Sequence, residues 1–178
     1  MTRTVEGVRI FRGPQGNPEG VLRRFVGNTD GHSQASLDRC KELLIAVTHW
    51  IPRREELPVS VEDWKAHAPD WFVRACAPEM STAEAEEELR AWRALDQAGK
   101  LRYRAEQPWT FANWIEWFDF SSDLRRSWLW WNGGINDDSE FWIEVEVCED
   151  PAAVGTLTWM MRAAGARNVV ETGSHDGP

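Results

Sequence analysis

Residues 127–148, SWLWWNGGINDDSEFWIEVEVC, contain the two clearest strand patterns of this chain. Segments 127–132 and 141–148 are rich in aromatic and β-branched residues, and glycines and aspartates separate them, which is typical of a β-hairpin. In the second segment Phe141, Ile143, Val145 and Val147 alternate with Trp142, Glu144 and Glu146. Because successive side chains of a strand point to opposite faces, we predict one face in the core and one in water.

The sequence after the hairpin predicts a helix and a last strand. Pro151 can open a helix that ends near Gly165, and residues 168–171 have the composition of a short strand. The C-terminal third is therefore predicted to be a ββαβ unit. Immediately before the hairpin, residues 108–120 are rich in aromatic residues, and we predict a buried helix there.

Two patterns of spacing divide the N-terminal part. Apolar residues at three- and four-residue steps predict a helix over 33–51, and a capping-box sequence from Ser81 predicts another over 81–97 that Gly99 ends. Prolines split residues 57–80 into two short helices. We predict a hairpin from 5–12 and 21–26, across a turn rich in glycine and proline, and a brief strand at 101–104.

These elements predict a single α+β domain over residues 1–171, with a mainly antiparallel sheet and helices packed against it. A length of 178 residues favours one domain. Residues 172–178 are polar, and we predict a flexible tail.

The charge balance limits the class of partner. With 20 Lys and Arg against 29 Asp and Glu, the net charge is −9, which argues against nucleic acid and anionic membranes as partners. There is no apolar run typical of a signal peptide or a membrane span. The three cysteines lie far apart without a CxxC motif, so we expect reduced thiols and a cytoplasmic protein. Arginine far outnumbers lysine, a bias that GC-rich codons produce and that favours a bacterial source.

Tryptophan is unusually abundant, with 12 residues in the chain. Seven of them lie between Trp109 and Trp142, and alternation cannot place all of the strand tryptophans on one sheet face. Either helices of the chain cover both faces, or part of this tryptophan cluster forms an exposed aromatic patch that binds a partner.

Carboxylates accumulate where basic residues are missing. There is no Lys or Arg between Arg126 and Arg162, an interval that contains Asp137, Asp138, Glu140, Glu144, Glu146, Glu149 and Asp150. The interpretations are a solvated edge of an acidic protein, a docking face for a cationic partner, or a divalent-metal site.

Sequence patterns typical of catalysis are missing. The four histidines form no HxxxH, HxH or HExxH motif, and GxSxG, GxGxxG and Gly-Lys-Ser/Thr do not occur. We therefore predict no catalytic residue, no metal and no cofactor, and lean against an enzyme.

The most consistent hypothesis is a small acidic partner-binding protein, such as an inhibitor or immunity protein that neutralises a basic toxin, for example a nuclease. Its predicted contact residues are Trp130, Asp137, Asp138, Glu140, Trp142, Glu144 and Glu146. The alternative is a small enzyme or ligand-binding domain with an aromatic pocket for an anionic small molecule, between the sheet and residues 108–120. A self-associating subunit, with tryptophans paired across a two-fold interface, is also left open.

Overall fold

Four antiparallel strands form one sheet in the order β2-β3-β1-β4. The computed structural model describes residues 3–50, 59–118, 126–147 and 152–173. The strands are β1 (Val21–Asn28), β2 (Trp128–Asp137), β3 (Glu140–Val147) and β4 (Asn168–Thr172). With the helices, they make a single α+β domain, as predicted from the sequence.

Eight helices lie in the described residues. They are α1 (Arg3–Arg12), α2 (Ser33–His49), α3 (Val61–His67), α4 (Asp70–Ala75), α5 (Thr82–Ala94), α6 (Gln97–Glu106), α7 (Phe111–Ile115) and α8 (Gly155–Ala163). Ser60 and Ser81 each form a capping box, with Asp63 and Glu84 respectively, so local sequence fixes where α3 and α5 begin.

The core lies between one face of the sheet and the helices α2 and α8. Phe25, Phe141, Ile143 and Val145 face this side from β1 and β3, and all are fully buried. The apolar stripe of α2, which contains Leu37, Cys40, Leu43, Leu44 and Val47, is buried against them. The core face predicted for β3 and the spacing in α2 are thus confirmed.

A second group of aromatic side chains joins α4 and α7 to the sheet. Trp114 packs against Phe72 and Phe118, and Phe118 contacts Trp128 edge-on. The indole nitrogens of Trp114 and Trp128 both donate to Thr156 of α8. These rings pack against one another where the sequence suggested an aromatic pocket, and Trp114, Trp128, Trp130 and Trp131 are buried. Most of the tryptophan cluster is therefore core.

The prediction for residues 5–12 was wrong, because they lie in α1 and not in a strand. The buried side of α1 carries Glu6, Gly7, Arg9 and Ile10, whereas Val5, Val8 and Phe11 are exposed. Apart from Ile10, its buried side thus lacks the large apolar residues of an ordinary amphipathic helix. The strand predicted at 21–26 is correct and forms part of β1.

The strand predicted at 101–104 was also wrong, since these residues belong to α6. Helix α5 ends at Ala94, and Asp96 caps α6 by accepting a hydrogen bond from the Gly99 amide. Gly99 therefore lies in the first turn of the next helix and does not end the previous one.

The C-terminal ββαβ unit is confirmed as β2, β3, α8 and β4. Thr172 is the last residue of β4, so the predicted tail includes one strand residue, and 174–178 lie outside the described residues. Pro52, Cys148, Glu149, Asp150 and Pro151 also lie outside them. In the part of the chain that is described, no helix has both the length and the apolar character needed to cross a bilayer.

Candidate partner-binding site

The tip of the β2–β3 hairpin, residues 137–140, is held against the loop between β1 and α2. The Thr29 amide donates to the Ser139 carbonyl at 2.6 Å, and the Ser33 amide donates to the Asp138 carbonyl at 3.0 Å. The Ser33 hydroxyl also donates to the Asp137 carbonyl, at 2.5 Å. Hydrogen bonds from a second segment therefore fix the backbone of the tip.

The carboxylates of Asp137 and Asp138 are exposed at this tip. The side chain of Asp137 accepts hydrogen bonds from the hydroxyl and the amide of Ser139, both at 2.7 Å, and these bonds lower its pKa. Among the described residues, no Lys or Arg forms a salt bridge with either aspartate. Both negative charges therefore face solvent, and no cation of the described residues pairs with them.

Glu140, the last residue of the tip, is half-buried and lies opposite Asp137 in the hairpin register. Its carboxylate accepts hydrogen bonds from the side-chain amides of Asn28, at 3.3 Å, and Asn136. These contacts orient Glu140 toward its own strands and leave it only partly accessible.

Glu146 does not lie on a solvated face, so that part of the sequence prediction was wrong. It is 1 % exposed and forms a salt bridge with Arg9 of α1 at 2.9 Å. The amides of Gly20, at 2.8 Å, and Glu19 donate to its other oxygen. Burial opposes ionisation of Glu146, but the hydrogen bonds from Arg9 and the two amides outweigh it and lower its pKa.

Glu144 is also buried, at 7 % exposure, and the prediction of a wet face fails for it as well. Its carboxylate meets Arg24 of β1 at 3.3 Å, directly across the strand pair. The Arg24 guanidinium lies 4.2 Å from the ring centre of Trp142, which is half-buried on the same face. Arg24 of the same chain thus provides the countercharge for Glu144 and packs against Trp142.

Trp130 lies on the opposite face of the sheet, where it is 1 % exposed in the core. It cannot contribute a side-chain surface to a partner in this fold. Its backbone amide points out from the edge of β2 and donates to Glu6 of α1 at 2.8 Å. The Glu6 carboxylate also accepts two hydrogen bonds from Arg126.

The structure therefore divides the seven predicted contact residues into two groups. Asp137, Asp138, Glu140 and Trp142 lie at or near the accessible hairpin tip, whereas Trp130, Glu144 and Glu146 are buried. The side chains of Glu6, Arg9 and Arg24 bind the buried acids or the strand edge, and none of these three residues was predicted from the sequence. No local motif marks these residues, because their partners lie more than 100 positions away in the chain.

Thiols and metal-binding groups add no second site in the described residues. Burial raises the pKa of Cys76 to about 11, and burial also raises the pKa of Cys40, so neither is a thiolate at neutral pH. Within the described ranges, no three His, Cys, Asp or Glu side chains come together to hold a metal ion.

Comparisons of the chain with protein-family models, with curated proteins and with solved structures found no match.

Proposed function

We propose that this protein binds a basic protein partner through the tip of its β2–β3 hairpin. The observation that carries the proposal is the pair of exposed carboxylates of Asp137 and Asp138. No Lys or Arg among the described residues forms a salt bridge with either of them. In contrast, Glu144 and Glu146 are bound by arginines of the same chain. The contact surface is therefore proposed to be smaller than the alternation of β3 suggested.

The rigidity of the tip supports this proposal. Thr29 and Ser33 hold the backbone of residues 137–139 in place, and Ser139 orients the Asp137 carboxylate. A preorganised charged loop loses less conformational entropy on binding than a flexible one. The net charge of −9 would also speed the approach of a cationic partner.

Trp142 supplies an aromatic surface next to the tip. Its indole ring packs so closely over Gly134 that a Cβ atom at that position would come within 2.9 Å of the ring, and Arg24 packs on the indole as well. Aromatic residues held in one orientation are frequent anchors of protein interfaces. Trp142 is thus the apolar part of the proposed contact surface.

The narrower proposal is an inhibitor or immunity protein that blocks a basic toxin such as a nuclease. Asp137 and Asp138 would then occupy the cationic cleft in which the toxin binds phosphates. We propose the cytoplasm as its compartment and a bacterium as its source, from the cysteine spacing and the arginine-rich composition. The small-molecule alternative stays a prediction, and no observation in the described residues favours it.

Affinity capture from a lysate of the source cells tests the proposal at ~50 mM and ~500 mM salt, because screening weakens exposed ionic contacts. The test variant is Asp137→Lys with Asp138→Lys. The matched control is Glu86→Lys with Glu87→Lys on the exposed side of α5, which changes the net charge equally.

We expect the wild type and the control to retain the same basic protein at low salt, and the tip variant to lose it. If that protein is a toxin, the wild type inhibits its activity and the tip variant does not. Equal retention by the tip variant, or no basic protein retained by the wild type, would overturn the proposal.

A further inference from the structure

The two edges of the sheet differ in how they are protected. At the β2 edge, α1 packs alongside the strand and Glu6 accepts the outward amide of Trp130. At the other edge lies β4, and no strand of the described residues pairs with its outer side. Four of the five β4 residues are exposed. An unprotected edge strand is a ready template for pairing with another chain.

An apolar row crosses the sheet and ends at this edge. In the strand register Trp142 of β3 lies opposite Val26 of β1, and Val26 lies opposite Val170 of β4. Directly paired residues share a face, so the three side chains are neighbours. Trp142 and Val26 are half-buried, whereas Val170 is 51 % exposed. The apolar row therefore reaches the outer edge of the sheet at Val170, and no strand of the described residues lies beyond it.

The charges of β4 favour a second copy of the same strand as its pairing partner. Its sequence, NVVET, contains one charged residue, Glu171, and Arg23 of the same chain binds that carboxylate with two hydrogen bonds. If two β4 strands pair antiparallel with Val170 at the two-fold axis, Asn168 faces the partner's Thr172 and Val169 faces the partner's Glu171. No two like charges then lie directly opposite each other.

We propose that the protein forms a symmetric dimer by antiparallel pairing of its β4 edges, centred on Val170. The two four-stranded sheets would then form one continuous sheet, and the row Trp142–Val26–Val170 would continue into the same row of the partner. This self-association does not depend on the proposed function, because β4 makes the two-fold contact. Trp142, which belongs to both the row and the proposed contact surface, lies two strands away from β4.

Sedimentation velocity of the full chain, from about 1 to 200 µM, measures the dimer directly. The test variant Val170→Lys places like charges opposite each other at the two-fold axis, and we expect dimerisation to weaken roughly tenfold. The control is Val8→Lys on α1, because Val8 is also an exposed valine, at 40 %. Circular dichroism shows whether each variant keeps its fold.

A cysteine variant tests the register independently. Paired strands place opposite Cα atoms about 4.5–5.5 Å apart, within the range that a disulfide spans. Under mild oxidation, Val170→Cys should form a covalent dimer, whereas Val8→Cys and the wild type should not. A wild type that stays monomeric, an unchanged dimer in Val170→Lys, or no cross-link in folded Val170→Cys would each overturn the proposal.

Discussion

At the scale of single residues, the buried acid Glu146 joins three parts of the chain. Its carboxylate connects β3 to Arg9 of α1 and to the amides of residues 19 and 20. Arg9 in turn lies 3.9 Å from the ring centre of Trp131. Removing one partner of such a pair leaves the other charge buried without full compensation.

Glu146→Ala should therefore lower the free energy of unfolding by about 3–5 kcal/mol. The matched control is Glu86→Ala, since Glu86 is exposed on α5, and its effect should stay within about 0.5 kcal/mol. Urea unfolding at neutral pH measures both. Equal, small effects of the two substitutions would contradict the structural role of Glu146.

The lowered pKa of Glu146 also predicts how stability depends on pH. Because the folded pKa lies below the ordinary value of 4.5, ionised Glu146 stabilises the fold above about pH 4.5, and this contribution is lost as the pH falls through the folded pKa. Glu146→Gln should thus show a smaller loss of stability on acidification than the wild type. Parallel stability curves for the two proteins below pH 5 would contradict this assignment.

At the scale of elements, α1 protects the β2 edge through Glu6. Its carboxylate, which is fully buried, accepts the Trp130 amide and binds Arg126. Glu6→Ala should lower the free energy of unfolding by about 3 kcal/mol, because it leaves the Trp130 amide without an acceptor.

Hydrogen exchange of the Trp130 amide measures the effect of Glu6→Ala on this edge. We expect faster exchange in Glu6→Ala than in Glu6→Gln, which keeps one oxygen acceptor. The Phe25 amide in the central strand β1 is the internal reference. Unchanged protection of Trp130 in Glu6→Ala would show that α1 does not protect the edge in this way.

In contrast to α1, which packs along β2, helix α5 makes few tertiary contacts. No residue of α5 is buried, and its contacts with α6 include Tyr103 with Glu88 and Lys100 with Trp92. Burial, together with the hydrogen bond to Glu88, raises the pKa of Tyr103 to about 12. We expect α5 to open by local unfolding, at a lower free energy than the core.

Ser81→Ala removes the N-cap of α5. It should lower the free energy of local opening of α5 by about 1 kcal/mol and leave the free energy of global unfolding unchanged. Hydrogen exchange should then accelerate in α5 and stay constant in α2. An equal acceleration in both helices would contradict independent opening of α5.

At the scale of the whole molecule, sequence periodicity predicted the elements whose buried faces are apolar. The stripe of α2 and the alternation of β3 both gave the correct face to the core. Helix α1 was missed because its buried side contains Glu6 and Arg9, whose burial depends on partners far along the chain. Such pairs leave no periodic signal in the sequence.

The candidate site was predictable in part for the same reason. Alternation correctly placed Glu144 and Glu146 on the face away from the core, but it could not show that Arg24, α1 and residues 19–20 cover them. The tip aspartates follow from local turn composition and were placed correctly at the exposed end of the hairpin. Where distant segments of the chain cover a side chain, its exposure therefore could not be predicted from the sequence and became apparent only in the structure.

We propose that the acids of the tip bind a partner, whereas the buried acids stabilise the fold. Carbodiimide labelling of carboxylates, read by peptide mass spectrometry with and without the captured partner, tests both halves in one measurement. We predict rapid labelling of Asp137 and Asp138 that the partner suppresses, unchanged labelling of Glu86 and Glu87, and slow labelling of Glu146 throughout. Labelling of Glu146 as fast as that of Asp137, or no protection of the tip by the partner, would contradict the account.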